Sequence, residues 1–417
     1  MTSRAVWFIP VALVGLALPP TVGRDPSTVA PAERAQFLAR RGADRWHAAG
    51  IRGQGVKVLI VDSGFRGWRS YVGGVLPSSL LTKSFRADAA LEARDSSHGV
   101  LCGEVIHALA PDADLLFANW EPDDAESFVR AVQWGKQQGA RVMSCSIIMP
   151  CWSDGEGNGP VHAALIQAMG NGEAAGDLLG FACAGNTAQR HCSGPFRRGT
   201  DGSHEWVPGQ TFNAVTPWGD ERVSVELCYP RGSGYVLQVV NTATGMEIGR
   251  SAADPGGCST VVRFLPIPSG RYAARVLPGS SSAGPFHLSV LSGWLERYTE
   301  RGSIPFPADG PEFAAVGAVS AEGRRAAYSS CGPNGLRPKP DFVAEVPVWT
   351  AAKAAPFSGT SAAAPQAAGL AALLLSRHPD WSPAKVRAAL QHAAVDIAPP
   401  GHDPETGYGR LRLPAIN

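Results

Sequence analysis

Phe357-Ser358-Gly359-Thr360-Ser361-Ala362-Ala363-Ala364-Pro365 is the stretch from which the fold is read. Gly359 permits a tight turn, and Pro365 falls in the first turn of a helix, where a missing N–H costs little. The Ala- and Leu-rich run that follows continues as that helix, so Ser361 is delivered to a helix N-terminus. Unsatisfied backbone N–H groups and the positive end of the helix dipole there favour negative charge developing on a bound carbonyl oxygen. A lone serine before a helix is more commonly an N-cap. Residues elsewhere in the chain decide between the two.

Upstream, Gly53-Gln54-Gly55 forms a turn, and Val56 to Val61 is an apolar, β-branched run suited to a strand buried on both faces of a parallel sheet. Asp62-Ser63-Gly64 lies at its carboxyl end, where open α/β sheets gather ligands and catalytic groups. An Asp before a Gly is by itself more often a loop former. His98 opens a helix running on through Val100 to Leu109, and nine further histidines compete with it for any chemical role. Strands are expected at Leu115 to Ala118, Arg141 to Met149, Leu178 to Ala184 and Ala314 to Val319. Helices are expected at Pro31 to Ala49, Glu126 to Gln138, Val161 to Met169 and Ala384 to Ala394, the last with Ser382 as N-cap. The alternation predicts an α/β fold, a doubly wound, mostly parallel sheet with helices on both faces.

From about Val207 to Trp294 the pattern changes to period-2 strands separated by Gly, Pro and Asn, for example Arg222 to Leu227, Tyr235 to Asn241, Thr260 to Leu265, Arg271 to Val276 and His287 to Leu291. An inserted antiparallel β-sandwich is expected there, of about a hundred residues, the usual size for that architecture. The division that follows is a signal peptide at 1–23, a lead-in segment at 24–50, a first part of the α/β domain at 51–200, the insertion at 201–300 and the second part of the α/β domain at 301–417. A docking or glycan-binding surface is one role for the insertion; a steric lid over the crevice is the other and is preferred.

Composition narrows the function. Of 417 residues, 44% are hydrophobic and 18% charged, which is ordinary globular composition. A formal net charge of +1 without a Lys/Arg block leaves no footprint for nucleic acid or an anionic membrane. Arg4, the apolar run Ala5 to Leu18 and the small residues around Gly23 match a secretory signal, too short and too interrupted by Pro10 to span a bilayer. The chain is therefore expected to be secreted or periplasmic, and a monomer. In such a compartment some of the eight cysteines are expected to pair, with Cys228–Cys258 and Cys183–Cys192 preferred on spacing and Cys102 and Cys331 left as buried thiols. No C-x-x-C pair marks a zinc site.

Peptide hydrolysis by serine needs a base for the hydroxyl, a carboxylate to orient that base, and donors for the oxyanion. Asp62 at a strand end, His98 at a helix start, Asn186 after a strand and Ser361 at a helix start meet that need, each in a segment whose end faces one crevice. In this order the chain resembles the subtilisin-like serine peptidases. The resemblance rests on Val58-Leu59-Ile60-Val61-Asp62-Ser63-Gly64, Ser97-His98-Gly99, Ala182-Cys183-Ala184-Gly185-Asn186 and Ser358 to Pro365. Ala327 to Pro333, Lys339-Pro340-Asp341 and Gly407-Tyr408-Gly409-Arg410 add to it, over about residues 45–200 and 300–412. It implies polypeptide substrates, Ser361 as nucleophile, His98 as general base then acid, Asp62 as its orienting carboxylate, and Asn186 with the Ser361 N–H as oxyanion hole. It further implies that substrate binds along Ser146, Ile147 and Ile148 and beside Ala184 and Gly185.

The chain departs from the family in three places. Ile148 stands where a glycine is usual in the substrate edge, the interval from Asn186 to Ser361 is lengthened by the insertion, and too few residues precede Val56 for a large prodomain. Calcium is common in the family, yet no metal ligands are recognisable: Asp154-Gly155-Glu156-Gly157-Asn158-Gly159 opens like a calcium loop but has Leu165 in place of the closing glutamate. A catalytically silent relative that binds a partner through its β domain is the alternative. An esterase fits less well, because Gly359-Thr360-Ser361-Ala362-Ala363 lacks the final glycine of the nucleophile elbow.

Overall fold

The computed structural model describes residues 31–416 apart from 255, 280–283, 354 and 398. The signal expected at 1–23 and the start of the lead-in segment lie outside the described residues. The chain begins with α1 (Pro31–Arg41) and α2 (Ala43–Ala48), two helices broken at Gly42 where one was expected. Then follow β1 (Lys57–Val61), β2 (Leu80–Phe85), α3 (His98–Leu109), β3 (Asp114–Trp120), α4 (Ala125–Gln137), β4 (Ala140–Cys145), α5 (Pro160–Met169) and β5 (Leu179–Cys183). Nine strands come next: β6 (His191–Pro195), β7 (Asn213–Pro217), β8 (Val223–Cys228), β9 (Val236–Asn241), β10 (Met246–Arg250), β11 (Ser259–Phe264), β12 (Tyr272–Leu277), β13 (Pro285–Leu291) and β14 (Gly293–Leu295). The chain closes with β15 (Phe313–Val319), β16 (Phe342–Glu345), α6 (Ala364–Arg377) and α7 (Pro383–Ala393).

Seven strands form one parallel sheet in the order β16-β15-β5-β4-β1-β3-β2. The period-2 geometry of a strand sends alternate side chains to opposite faces, and β1 shows the result. Val58 and Ile60 enter a core shared with α3 and α6, while Leu59 and Val61 enter a second core shared with α4 and α5. Both faces are thus covered, which is why β1 needs apolar residues throughout rather than alternation. Asp124 caps α4 by accepting from the Glu126 and Ser127 amides, and Ser382 caps α7, each worth about 1 kcal/mol. Lys339 and Asp341 are structural: the lysine Nζ donates to Phe313 O at 2.6 Å and to Asp341 Oδ2 at 2.9 Å, and that carboxylate takes the Ala315 amide, tying β15 to the approach of β16.

The remaining strands make two antiparallel sheets, β10-β9-β12-β7-β14 and β11-β8-β13-β6. Their inward residues, among them Val225, Leu227, Val239, Val276, Phe286 and Leu288, bury one another in a third core. Strand β6 already belongs here, pairing with β13, so the antiparallel layer starts at His191.

All eight cysteines are free thiols, so neither Cys228–Cys258 nor Cys183–Cys192 is paired. Cys183 ends β5 in the central sheet, buried beside the Thr360 hydroxyl, and Cys192 lies in β6 against Thr299. The Cys228 thiol turns toward the Pro150 carbonyl at 3.1 Å. In the loop 154–159, Asp154 Oδ1 accepts from the Glu156 and Asn158 amides and its Oδ2 from Asn158 Nδ2. These bonds close the loop on the Asp154 carboxylate.

Candidate active site

Strand β1 ends at Val61, and Asp62 lies directly beyond it, fully enclosed. Its Oδ1 accepts the Gly64 amide at 3.0 Å and its Oδ2 meets His98 Nδ1 at 2.7 Å. An ionised carboxylate can only accept, so Nδ1–H is the donor in this bond. Helix α3 starts at His98 itself, with the Ser96 hydroxyl accepting the His98 amide and the Gly64 carbonyl accepting the Gly99 amide. Residue 99 has to be glycine: a Cβ there would fall 2.8 Å from the Asp62 Cβ and 2.5 Å from the Phe65 ring. On the far side, the Phe357 ring stands edge-on to the imidazole, 5.6 Å between centroids.

Ser361 lies in a short 3₁₀ turn, Thr360–Ala362, that feeds α6. Gly359, at φ 86°, provides the left-handed residue that turns the chain into it. The Ser361 side chain donates to the Ser146 carbonyl at 3.4 Å, and the Ser146 hydroxyl returns a bond to the Ser361 carbonyl at 3.0 Å. Asn186 follows β5. Its Oδ1 accepts both the Thr360 amide at 3.0 Å and the Thr360 hydroxyl at 2.9 Å, and that hydroxyl in turn accepts the Gly185 amide at 3.2 Å. With Oδ1 held in this way, the donor end of the side-chain amide is set on the opposite side.

His98, Ser146, Ile147, Ile148, Gly185, Asn186 and Ser361 line one cleft, with Asp62 behind His98. Ala184 is placed differently from the expectation: its methyl is buried in the core on the α4 side of the sheet and is not part of the cleft wall. Beyond β4 the segment 146–149 leaves the sheet, and Ile148 stands where it narrows the cleft.

Several residues of the site were not singled out from sequence. Thr360 is the bridge between the serine turn and Asn186. Tyr328 takes the Gly359 amide on its hydroxyl at 3.2 Å, a role hidden within a motif noticed only for its family likeness. Arg190 donates to the Asn186 carbonyl from Nε at 3.0 Å and from Nη2. Leu291 and Ser292, from the antiparallel layer, complete the wall, and no local pattern announces such a long-range neighbour.

Comparison with known proteins places these features in context. The family model described as Subtilase family (Peptidase S8) matches residues 53–409. Subtilisin amylosacchariticus of Bacillus subtilis subsp. amylosacchariticus is 32% identical over 174 residues, 41% of this chain and 43% of its own length. The subtilisin-like protease SBT1.7 of Arabidopsis thaliana is 43% identical over 90 residues, 16% of this chain and 12% of that one. The chain therefore spans less than half the length of these curated relatives. Among solved structures, the CspB protease of Clostridium perfringens superposes with a TM-score of 0.64 at 16% identity, covering 88% of this chain and 94% of that one. MycP1 of Mycobacterium smegmatis gives 0.51 at 16% identity, covering 94% and 85%. At such identities the two structures speak for the fold alone.

Proposed function

Because this chain belongs to the subtilase family, we propose that it is an exported serine endopeptidase acting on polypeptides. Ser361 is its nucleophile, His98 its general base, Asp62 the carboxylate that orients the imidazole, and Asn186 with the Ser361 N–H its oxyanion hole. The observation that carries this reading is the 2.7 Å contact of Asp62 with His98 Nδ1 at a cleft that His98, Asn186 and Ser361 line together. On substrate binding the serine hydroxyl exchanges the Ser146 carbonyl for His98 Nε2, which takes its proton as Oγ attacks the scissile carbonyl. The negative charge then grows on an oxygen facing the Asn186 amide. His98 afterwards returns the proton to the departing amine. We assign residues 201–300, joined by β6, as a unit inserted in the peptidase body; it restricts access to the cleft through Leu291 and Ser292. Among the described residues no helix is long and apolar enough to cross a membrane.

The test is covalent. A fluorophosphonate is expected to label the wild-type chain once, at Ser361, with loss of both labelling and casein hydrolysis in Ser361→Ala. Hydrolysis persisting in that variant removes the assignment, and a wild-type chain that neither labels nor hydrolyses points instead to the catalytically silent relative.

A further inference from the structure

Three arginines, Arg86, Arg94 and Arg190, line the cleft, and no aspartate or glutamate lines it among the described residues. Two of the three charges are answered close by. Arg86 holds Asp88 through two parallel bonds of 2.9 and 2.7 Å, and Arg94, bonded to the Ser63 hydroxyl at 2.9 Å, lies in the field of Asp62.

Arg190 is different. It is 2% exposed, its Nε and Nη2 are bound to the Asn186 carbonyl, and its guanidinium lies over the Trp218 ring, 4.6 Å from the centroid. A carbonyl and a ring face offer only partial negative charge, and no carboxylate approaches it within ion-pair distance among the described residues. Burial pushes the group down to about 10, which still leaves it charged at neutral pH. A buried cation without a counter-charge is expensive, and a guanidinium has five N–H donors, of which two are used here. An anion entering the cleft meets that demand.

The position of Arg190 says which part of a substrate brings the anion. It grips the backbone of Asn186, the residue whose side chain faces the scissile oxygen in the proposed reaction. In that reaction the substrate residue held against Asn186 is the one bearing this carbonyl, and its side chain is the one that Arg190, on the same cleft wall, is placed to meet. We propose that Arg190 is a specificity determinant selecting an aspartate or glutamate at the residue on the carbonyl side of the scissile bond, which it meets by a charge-assisted hydrogen bond. The proposal rests on the serine endopeptidase reading above.

The experiment maps cleavage sites by mass spectrometry in an unbiased peptide library, using wild type, Arg190→Gln and Arg190→Lys. Wild type is expected to cut after Asp or Glu at least tenfold more often than after Asn or Gln. In matched peptides the Glu-over-Gln ratio of kcat/KM is expected to fall at least tenfold in Arg190→Gln and to be partly restored in Arg190→Lys. A residue that only holds Asn186 in place lowers both substrates together, so an unchanged ratio overturns the proposal. So does a wild type without acidic preference. Should Arg190→Gln not fold, the salt dependence of the wild-type Glu-over-Gln ratio decides: it falls as salt rises if an ion pair forms, and a flat ratio counts against one. Fluorophosphonate labelling of Ser361 in the same samples separates the two ideas. Labelling without acidic preference rejects only the role of Arg190, whereas no labelling rejects the hydrolase reading.

Discussion

Thr360 spends its amide and its hydroxyl on the same Asn186 oxygen while taking the Gly185 amide, so the residue beside Ser361 sets the orientation of the Asn186 side-chain amide. On the proposed mechanism, Asn186→Ala is expected to lower kcat by roughly 100 to 1,000-fold with little change in KM, the scale of losing one oxyanion-hole donor. Thr360→Val keeps the shape and the backbone amide but removes the hydroxyl bridge. About tenfold in kcat is expected, the worth of one hydrogen bond of about 1.4 kcal/mol, and steady-state kinetics on one peptide will compare the two. A Thr360→Val enzyme with full kcat would mean that the Thr360 amide alone suffices. That Asp62, His98, Asn186 and Ser361 come together at one cleft was legible because each sits where a regular element begins or ends. Thr360 and Arg190 were not, since their partners are 174 and 4 residues away and neither spacing carries a pattern.

At the scale of elements, the strands of the central sheet were readable wherever both faces are buried, as in β1 and β15. Edge strand β2 escaped notice because Leu81, Thr82 and Lys83 are exposed and its sequence lacks a continuous apolar run. Strand β6 was missed for another reason: Cys-Ser-Gly has weak strand character, and β13 imposes the conformation from about a hundred residues away. The same long-range pairing misled the cysteine reading, which relied on separation along the chain. Cys151, in the turn 150–152, and Cys228, at the end of β8, lie side by side, each within reach of the other's thiol. Treated with oxidised glutathione, the chain is expected to form a Cys151–Cys228 crosslink, each one reducing one glutathione disulfide. Peptide mapping without reductant checks it, and a Cys228–Cys258 peptide in its place would contradict the geometry.

Over the whole molecule, two enclosed histidines set opposite limits on stability. For His162, burial favours the neutral ring, but Glu312 at 2.6 Å and Asp309 at 3.2 Å override it and hold the imidazole up at about 10. For His191, burial and the neighbouring His287 push the ring down to about 3, with Glu156 on the far side of His287. An unfolded histidine titrates near 6.5. His162, raised in the fold, contributes fully below about pH 6.5 and loses that contribution as pH climbs toward 10. His191, lowered in the fold, contributes fully above about pH 6.5 and loses it as pH falls toward 3. Between them, the melting temperature is expected to peak near pH 6.5. Scanning calorimetry across pH 4 to 9.5 tests this, with the alkaline decline reduced in His162→Gln; a melting temperature that stays level from pH 6.5 to 9.5 would tell against the ion triad.

The break at Gly42 leaves Arg41 at the end of α1, where its Nε reaches Gln366 Oε1 at 2.6 Å. Gln366 lies in the first turn of α6, and its Nε2 spans the Ala362 and Glu345 carbonyls. Trp46, from α2, is locked in place by the Pro414 carbonyl. The opening helices are therefore a strut braced against the helix that follows Ser361. Maturation that stops ahead of Pro31 should leave a working enzyme, whereas trimming through Arg41 should let the serine drift even though every group that performs the reaction is still present; comparing fluorophosphonate labelling rates of the two truncations would show it.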